Sequence, residues 1–144
     1  MTLRTTATNS DLDWLLDRLV DQVPGTRNAV VMSDDGLVVS QSSSISRVDA
    51  ERLAAIATGQ QSLARGASEV FGGGAVCQVI VELDELWLFV SSAGRGTHLA
   101  VVAEQEVDAE VMAVAMDTLV QQVGQRLGTE VRVVQGHRED GVRG

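Results

Sequence analysis

The sequence predicts an α+β domain with the element order α-β-β-α-β-β-β-α, and three observations support this prediction. Three segments carry apolar residues at helical spacing, which indicates amphipathic helices. Between them, short apolar runs are joined by connections of hairpin length, which indicates antiparallel strands. The strands CQVIVEL, LWLFVSS and LAVVAE are nearly apolar on both faces. We therefore expect helices to cover the sheet on both sides.

The bounds of the elements follow from turn and capping residues. Asp34-Asp35-Gly36 is a tight hairpin signal, because glycine accepts the positive φ of such a turn. Ser46 or Asp49 caps the middle helix, and Gly72–Gly74 ends it. In chain order we predict a first helix capped by Ser10 and ended by Pro24-Gly25, strands at Asn28–Ser33 and Leu37–Gln41, a helix at Val48–Phe71, strands at Ala75–Leu83, Leu86–Ser92 and Thr97–Glu104, and a helix at Asp108–Leu127.

The length of 144 residues is that of one domain. We expect the domain to span residues 9–128, preceded by a flexible arm over residues 1–8 that has no periodicity. Residues 129–144 form a polar tail, in which Glu130–Val134 is a candidate short strand before a disordered end.

Composition favours a protein that binds over one that catalyses. The chain has 11 Arg, no Lys, 20 Asp plus Glu and a net charge of −9, which argues against nucleic acid and anionic membranes as partners. The lack of lysine excludes a Walker A lysine and a Schiff base. One Cys and two His are too few for a Cys/His zinc site. We expect no catalytic group, metal or cofactor.

The expected location is the cytoplasm. The N-terminus has no apolar signal segment, and no apolar run approaches the length of a membrane span. The single cysteine, Cys77, cannot form an internal disulfide, and this fits a reducing compartment. Because it lies in an apolar predicted strand, we expect a buried and inert thiol.

Three other features have a structural and a functional interpretation. Gly72–Gly74 is a helix-ending loop rather than a phosphate loop, because the glycines follow a helix and precede a strand. His98 with Ser91 or Ser92 suggests a catalytic triad, but no nucleophile-elbow motif supports it, so we expect a structural or surface histidine. Trp14 lies off the stripe of its own helix, and it either packs locally or contacts a partner.

The middle helix is the most informative element. Its stripe of Leu53, Ile56, Leu63, Ala67 and Val70 is predicted to cover the sheet. On its other side small residues recur at i, i+4, i+7 and i+11, namely Ala55, Gly59, Ser62 and Gly66, which we call the small-residue ridge. Each glycine weakens a helix by about 1 kcal/mol relative to alanine. Either the ridge packs closely against a second helix or protein, or this helix is simply weak.

The chain resembles the Roadblock/LC7 family over about residues 10–127. The resemblance rests on the hairpin NAVVMSDDGLVVSQS, the helix ERLAAIATGQQSLARGASEVFGGG and the strand triplet VCQVIVELDELWLFVSSAGRGTHLAVVAE, in this order and at this spacing. It implies a five-stranded antiparallel sheet between helices, and dimers that pair the middle helices and join the third strands. Bacterial members are typically regulators of Ras-like small GTPases, sometimes together with a sensor-kinase-like protein, and eukaryotic members include dynein light chains.

The leading hypothesis is therefore a homodimeric adaptor that binds a small GTPase and modulates its nucleotide cycle without chemistry of its own. Its predicted interface consists of the ridge and part of the third strand, namely Ala55, Gly59, Ser62, Gly66, Cys77, Val79 and Val81. The sequence leaves open whether the ridge meets the twin subunit or the GTPase. An arginine finger from Arg65 or Arg95 also stays open, without a supporting motif.

The alternative is a small-ligand sensor module of the PAS or GAF kind, which also has a sheet flanked by helices. Such a module needs a cavity with convergent polar groups. Gln78, Glu82 and His98 are the polar candidates near the predicted sheet.

Overall fold

The computed structural model describes the backbone of residues 2–94 and 96–143, and the side chains of residues 12–94 and 96–127. Three helices and five strands follow the predicted order. They are α1 (Thr2–Gln22), β1 (Thr26–Ser33), β2 (Val38–Gln41), α2 (Arg47–Phe71), β3 (Gln78–Glu82), β4 (Leu86–Gly94), β5 (Thr97–Glu104) and α3 (Ala109–Arg143). The strands form one antiparallel sheet in the spatial order β2-β1-β5-β4-β3. The predicted fold class is confirmed.

Strands β1, β4 and β5 are largely buried on both faces, as their apolar residues predicted, whereas β3 is exposed on one face. Alternate residues of β1 point in opposite directions: Ala29 and Val31 enter one core, and Val30 and Met32 enter the other. The first core lies between the sheet and the pair α1 and α3, and the second lies under α2 alone. Phe89 of β4 is the bulkiest side chain that is almost completely buried, and it belongs to the first core.

The caps of α2 agree with the sequence. The Ser46 hydroxyl accepts a hydrogen bond from the backbone N–H of Asp49 at 3.1 Å, so Ser46 is the N-cap. Gly72 ends the helix with φ of 71°, in the left-handed region where glycine has no steric penalty. Its N–H donates to the carbonyl of Ser68 at 2.7 Å.

Both terminal helices are longer than predicted. Helix α1 begins at Thr2, so Ser10 does not cap it and the predicted arm over residues 1–8 is helical from its second residue. Helix α3 runs to Arg143, and helical backbone replaces the short strand predicted at Glu130–Val134. The chain's single proline lies outside both segments, so no residue within them excludes helical backbone. The boundaries of the domain itself stay a prediction, since the side chains of these segments lie outside the described set.

Acidic residues of α1 hold the end of β2 and the loop that follows it. Asp13 accepts hydrogen bonds from the Ser40 hydroxyl and from the backbone N–H of Gln41, the latter at 3.0 Å. Asp17 accepts two more from Ser43, from its N–H at 2.7 Å and from its hydroxyl at 3.1 Å. These side chains therefore anchor the serine-rich loop on α1, a role that the sequence analysis missed.

We expect Leu16→Ala to lower the free energy of unfolding by about 2–5 kcal/mol, because Leu16 is fully buried in the core under α1 and the truncation leaves a cavity. Leu37→Ala is the matched control, since this leucine is exposed on the hairpin and its truncation should change stability by less than about 0.5 kcal/mol. Urea unfolding of both variants measures the difference. Equal losses would contradict the described core.

Candidate functional site: the outer face of α2, the β3 edge and an adjoining cavity

Helix α2 covers the sheet with small residues, and the predicted sheet-covering stripe is wrong apart from Leu53. The buried residues of the described helix are Ala50, Leu53, Ala54, Ala57 and Gln61. Ile56, Leu63 and Val70 are instead 54%, 73% and 73% exposed. The reason is that Val30, Met32 and Val90 already fill this layer from the sheet, so alanines let the helix lie close above them.

The large apolar residues and the small-residue ridge lie together on the side of α2 away from the sheet. Ala55, Gly59 and Ser62 are exposed and Gly66 is half-buried. A Cβ atom added at Gly59 or at Gly66 would meet nothing within 4 Å. The outer face of α2 comprises this ridge together with Val48, Ile56, Leu63 and Val70. Apart from Arg52, which lies on the same side of the helix and pairs with Asp49, it is a surface of small and apolar residues.

Strand β3, next to this surface, is an edge strand of the sheet. It is the last strand of the sheet and pairs with β4 alone, so the hydrogen-bonding groups of its other edge face no strand of the described chain. Val79 and Val81 are half-buried, and Ile80 is exposed. An open strand edge of this kind is a template for pairing with another chain.

Cys77 is exposed, and the expectation of a buried thiol is wrong. The strand is shorter than predicted because its ladder with β4 begins at the pair Gln78 and Ser91, leaving Ala75–Cys77 in the connection from α2. The thiol therefore lies at the start of the open edge and outside both cores.

His98 is a buried structural histidine that takes part in no triad. Its Nε2 lies 2.6 Å from a carboxylate oxygen of Asp34, and its Nδ1 is buried without a hydrogen-bond partner in the described chain. Ser92 is its cross-strand neighbour but does not bond to it. Ser91 lies on the other face of the sheet, where its hydroxyl accepts a hydrogen bond from Gln78 at 3.1 Å. Asp34 therefore holds the His98 ring in place, and neither serine hydroxyl is hydrogen-bonded to the ring.

A cavity of about 430 Å³ lies between the C-terminal half of α2, the loop before β3, and strands β4 and β5. Its polar lining side chains are Gln61, Arg65, Ser68, Glu69, Ser92 and His98. Of the three polar candidates that the sequence analysis named, only His98 lines the cavity. Gln78 and Glu82 alternate with Val79 and Val81 and so lie on the opposite face of β3.

Trp14 and the two candidate arginine fingers complete the residues that the sequence singled out. Trp14 is 57% exposed on α1, on the other side of the sheet, with the Arg18 guanidinium 5.3 Å from its ring centroid. This geometry is a cation–π contact within its own helix. Arg95 lies outside the described residues, and Arg65 stands at the mouth of the cavity.

The described residues have neither a metal cluster nor a membrane-spanning helix. No group of three or more His, Cys, Asp or Glu side chains among them has the geometry to hold a metal ion. Within the same part of the chain, none of the helices has both the length and the apolar character that crossing a bilayer requires.

Comparison with known proteins identifies the relatives of this chain. A model of the Roadblock/LC7 domain matches residues 12–103. A Roadblock/LC7 domain of known structure from Streptomyces avermitilis is 49% identical, with a TM-score of 0.77 over 80% of this chain and 96% of that one. A second domain from this organism is 42% identical, with a TM-score of 0.65 over 77% and 96%.

More distant structures share the fold. Myxococcus xanthus MglB is 13% identical, and its TM-score of 0.76 covers 83% of this chain and 90% of that one. At this identity the likeness concerns the fold alone. No curated protein matches the chain.

We expect the purified chain to hydrolyse p-nitrophenyl acetate no faster than buffer does, because the buried Nδ1 of His98 has no hydroxyl to activate. His98→Gln should leave this background rate unchanged. The release of nitrophenolate, followed across the fractions of a sizing column, measures both. An activity that follows the protein peak and disappears in His98→Gln would contradict the expectation.

Proposed function

The chain belongs to the Roadblock/LC7 family, and from this premise we propose that it is a homodimeric adaptor that binds a Ras-like small GTPase and modulates its nucleotide cycle. The observation that carries the proposal is the apolar outer face of α2 beside the open edge of β3. These are surfaces for association, and the described side chains offer no assembled catalytic group.

Exposed apolar area supports association through α2. Ile56, Leu63 and Val70 follow one another at helical spacing, and Phe71 after them is 85% exposed. Complete burial of each such side chain stabilises an assembly by about 1.5–3 kcal/mol. A contiguous patch of this kind marks an interaction site rather than ordinary surface.

The small-residue ridge and the β3 edge support a second copy of the chain as the occupant. A two-fold axis brings the same patch of two subunits together, so an open strand pairs with its own copy and extends the sheet. At the same time two α2 helices meet along Gly59 and Gly66, where the absence of side chains permits a close approach. Helix and edge are joined by the short connection 72–77, so one axis can serve both.

A protein partner fits the charge of the chain better than a nucleic acid does, since the net charge is −9. The family resemblance implies a Ras-like small GTPase as this partner and a sensor-kinase-like protein as a further one. We propose that the dimer acts in the cytoplasm by holding the switch segments of the GTPase in one conformation. Membership of the Roadblock/LC7 family replaces the PAS or GAF alternative.

We expect the double variant Gly59→Gln, Gly66→Gln to weaken dimerisation by about 1–3 kcal/mol, because two long side chains overpack a helix–helix contact. The wild-type chain should sediment as a dimer at micromolar concentration, and the variant should shift towards the monomer mass of 15.3 kDa. Ala113→Gln, on an exposed position of α3, is the matched control and should leave association unchanged.

A ridge that faces water in the assembled protein would give a different result in the same experiment. If the ridge faces water in the assembled protein, removing two helical glycines stabilises the chain by up to about 1 kcal/mol at each site. A higher melting temperature with intact dimerisation would therefore rule out the ridge as an interface.

For the GTPase, we expect binding that depends on the bound nucleotide, because an adaptor that modulates the cycle must distinguish two switch conformations. A purified Ras-like small GTPase, loaded with GDP or with a non-hydrolysable GTP analogue, is the partner to test by calorimetry. Equal affinity for both forms would refute modulation but not recruitment, and no binding of either form would refute both.

A further inference from the structure

We propose that the face of β3 opposite α2 becomes, in the dimer, the floor of a slot that binds an extended basic segment of a partner protein. The inference rests on the proposed dimer, because two β3 strands side by side make the floor. In each chain the floor consists of Gln78, Ile80 and Glu82, which we call the uncovered face of β3. Pairing of the β3 edges lies in the plane of the sheet and α2 lies on its other side, so neither contact covers this face.

The helices on the first core leave this face of β3 exposed. Ile80 pairs with Phe89, which is buried under α1 and α3, so both side chains point to the same side of the sheet. Ile80 is nevertheless 51% exposed, and Gln78 and Glu82 are exposed beside it. Val79 points the other way and packs in the core under α2. The layer formed by α1 and α3 therefore ends over β4 and does not reach β3.

Helix α3 forms the wall of the slot. It packs against β4, and a Cβ atom added at Gly124 would lie 3.4 Å from the carbonyl oxygen of Ala93 in that strand. Thr118 and Gln122 line the groove that α3 shares with α1. Asp117 lies seven residues before Gly124 and so on the same side of the helix, away from α1. This side of α3 is directed towards β3.

The width of the slot selects an extended segment over a helix. From β4 of one subunit to β4 of its partner there are three strand spacings, or about 14 Å. Because α3 packs against β4 in each subunit, this is also the distance between the two walls. A helix seated between them would need about 8–10 Å to each neighbour, or about 16–20 Å in all. An extended chain needs about 5 Å in this direction and therefore fits.

The charge of the slot specifies a basic segment. Glu82 on the floor and Asp117 on the wall form no ion pair or hydrogen bond with the described part of the chain. Asp84 and Glu85, in the turn after β3, add two exposed carboxylates at the end of the floor. The arginines that pair with carboxylates lie elsewhere, at positions 27, 47 and 52.

A basic segment also matches the apolar part of the floor. Arginine and lysine carry their charge on long methylene stems, which can cover Ile80 while the charged groups reach Glu82 and Asp117. Alternate side chains of an extended chain point to the same face. The fitting segment therefore has arginine or lysine at every second position, and complementary charge selects it over an acidic one.

Two short fluorescein-labelled peptides test the slot in the full-length chain, one of alternating arginine and valine and one with glutamate in place of arginine. We expect the arginine peptide to bind and the glutamate peptide not to bind. The two-fold axis passes through the slot, so calorimetry should give one peptide per dimer. Added NaCl should weaken the binding, because exposed charges are screened. Fluorescence anisotropy measures the affinity.

Matched variants locate the bound peptide. The double variant Glu82→Gln, Asp117→Asn should lower the affinity about tenfold, since the dimer loses these charges in both subunits. The double variant Asp21→Asn, Glu51→Gln removes as many charges from exposed positions of α1 and α2 and should leave the affinity unchanged.

A second pair of variants tests the apolar floor. Ile80→Ala should lower the affinity about fivefold, because the arginine stems lose their apolar contact. Leu37→Ala shortens an exposed leucine on the hairpin between β1 and β2 and should not change it. All these variants should still sediment as dimers, so that a loss of binding reports on the slot.

The sedimentation of the wild type separates this proposal from that of the dimer. A dimer that binds neither peptide, or binds both equally, would overturn the slot and leave the dimer intact. Binding of one peptide per chain, unchanged by the variants at Ile80 and Glu82, would place the peptide at another site and likewise overturn the slot. A monomeric wild-type chain would overturn both proposals.

Discussion

The position of β5 between β1 and β4 is the constraint on which the other elements depend. Because β5 has a strand on each side and a core on each face, its residues alternate between two buried layers. Leu99 and Val101 point towards α1 and α3, while Ala100 points towards α2. This arrangement requires helices on both faces and leaves only β2 and β3 with open edges.

The strand order also determines the course of α2. The helix connects β2 at one edge of the sheet with β3 at the other, a distance of four strand spacings or about 19 Å. Its 25 residues span about 37 Å. The helix is therefore longer than the connection needs, and its C-terminal half extends past the apolar layer. Leu63 and Val70 are exposed because they lie on the side of α2 away from the sheet. The cavity beside His98 lies next to the C-terminal half of the helix.

Most of the fold could be predicted from sequence because it is encoded locally. Helical spacing, strand alternation, the Ser46 cap and the Gly72 stop each depend on residues within a few positions of one another. Apolar residues on both faces of the strands predicted two-sided burial for the same reason. The ends of α1 and α3 were less predictable, since weak local signals there compete with the continuation of a helix.

The candidate site depended on contacts between residues far apart in the chain. Small residues recur at similar spacing on two sides of α2, at 50, 54 and 57 and at 55, 59, 62 and 66, so periodicity alone could not say which side meets the sheet. Val30, Met32 and Val90 decide this by filling the layer. The pairing of His98 with Asp34 joins residues 64 positions apart. The sequence by itself determined the elements, their order and the two-faced sheet, because these follow from local patterns. Only the tertiary structure decided which side of α2 is free and which polar groups converge, because the packing of distant strands sets both.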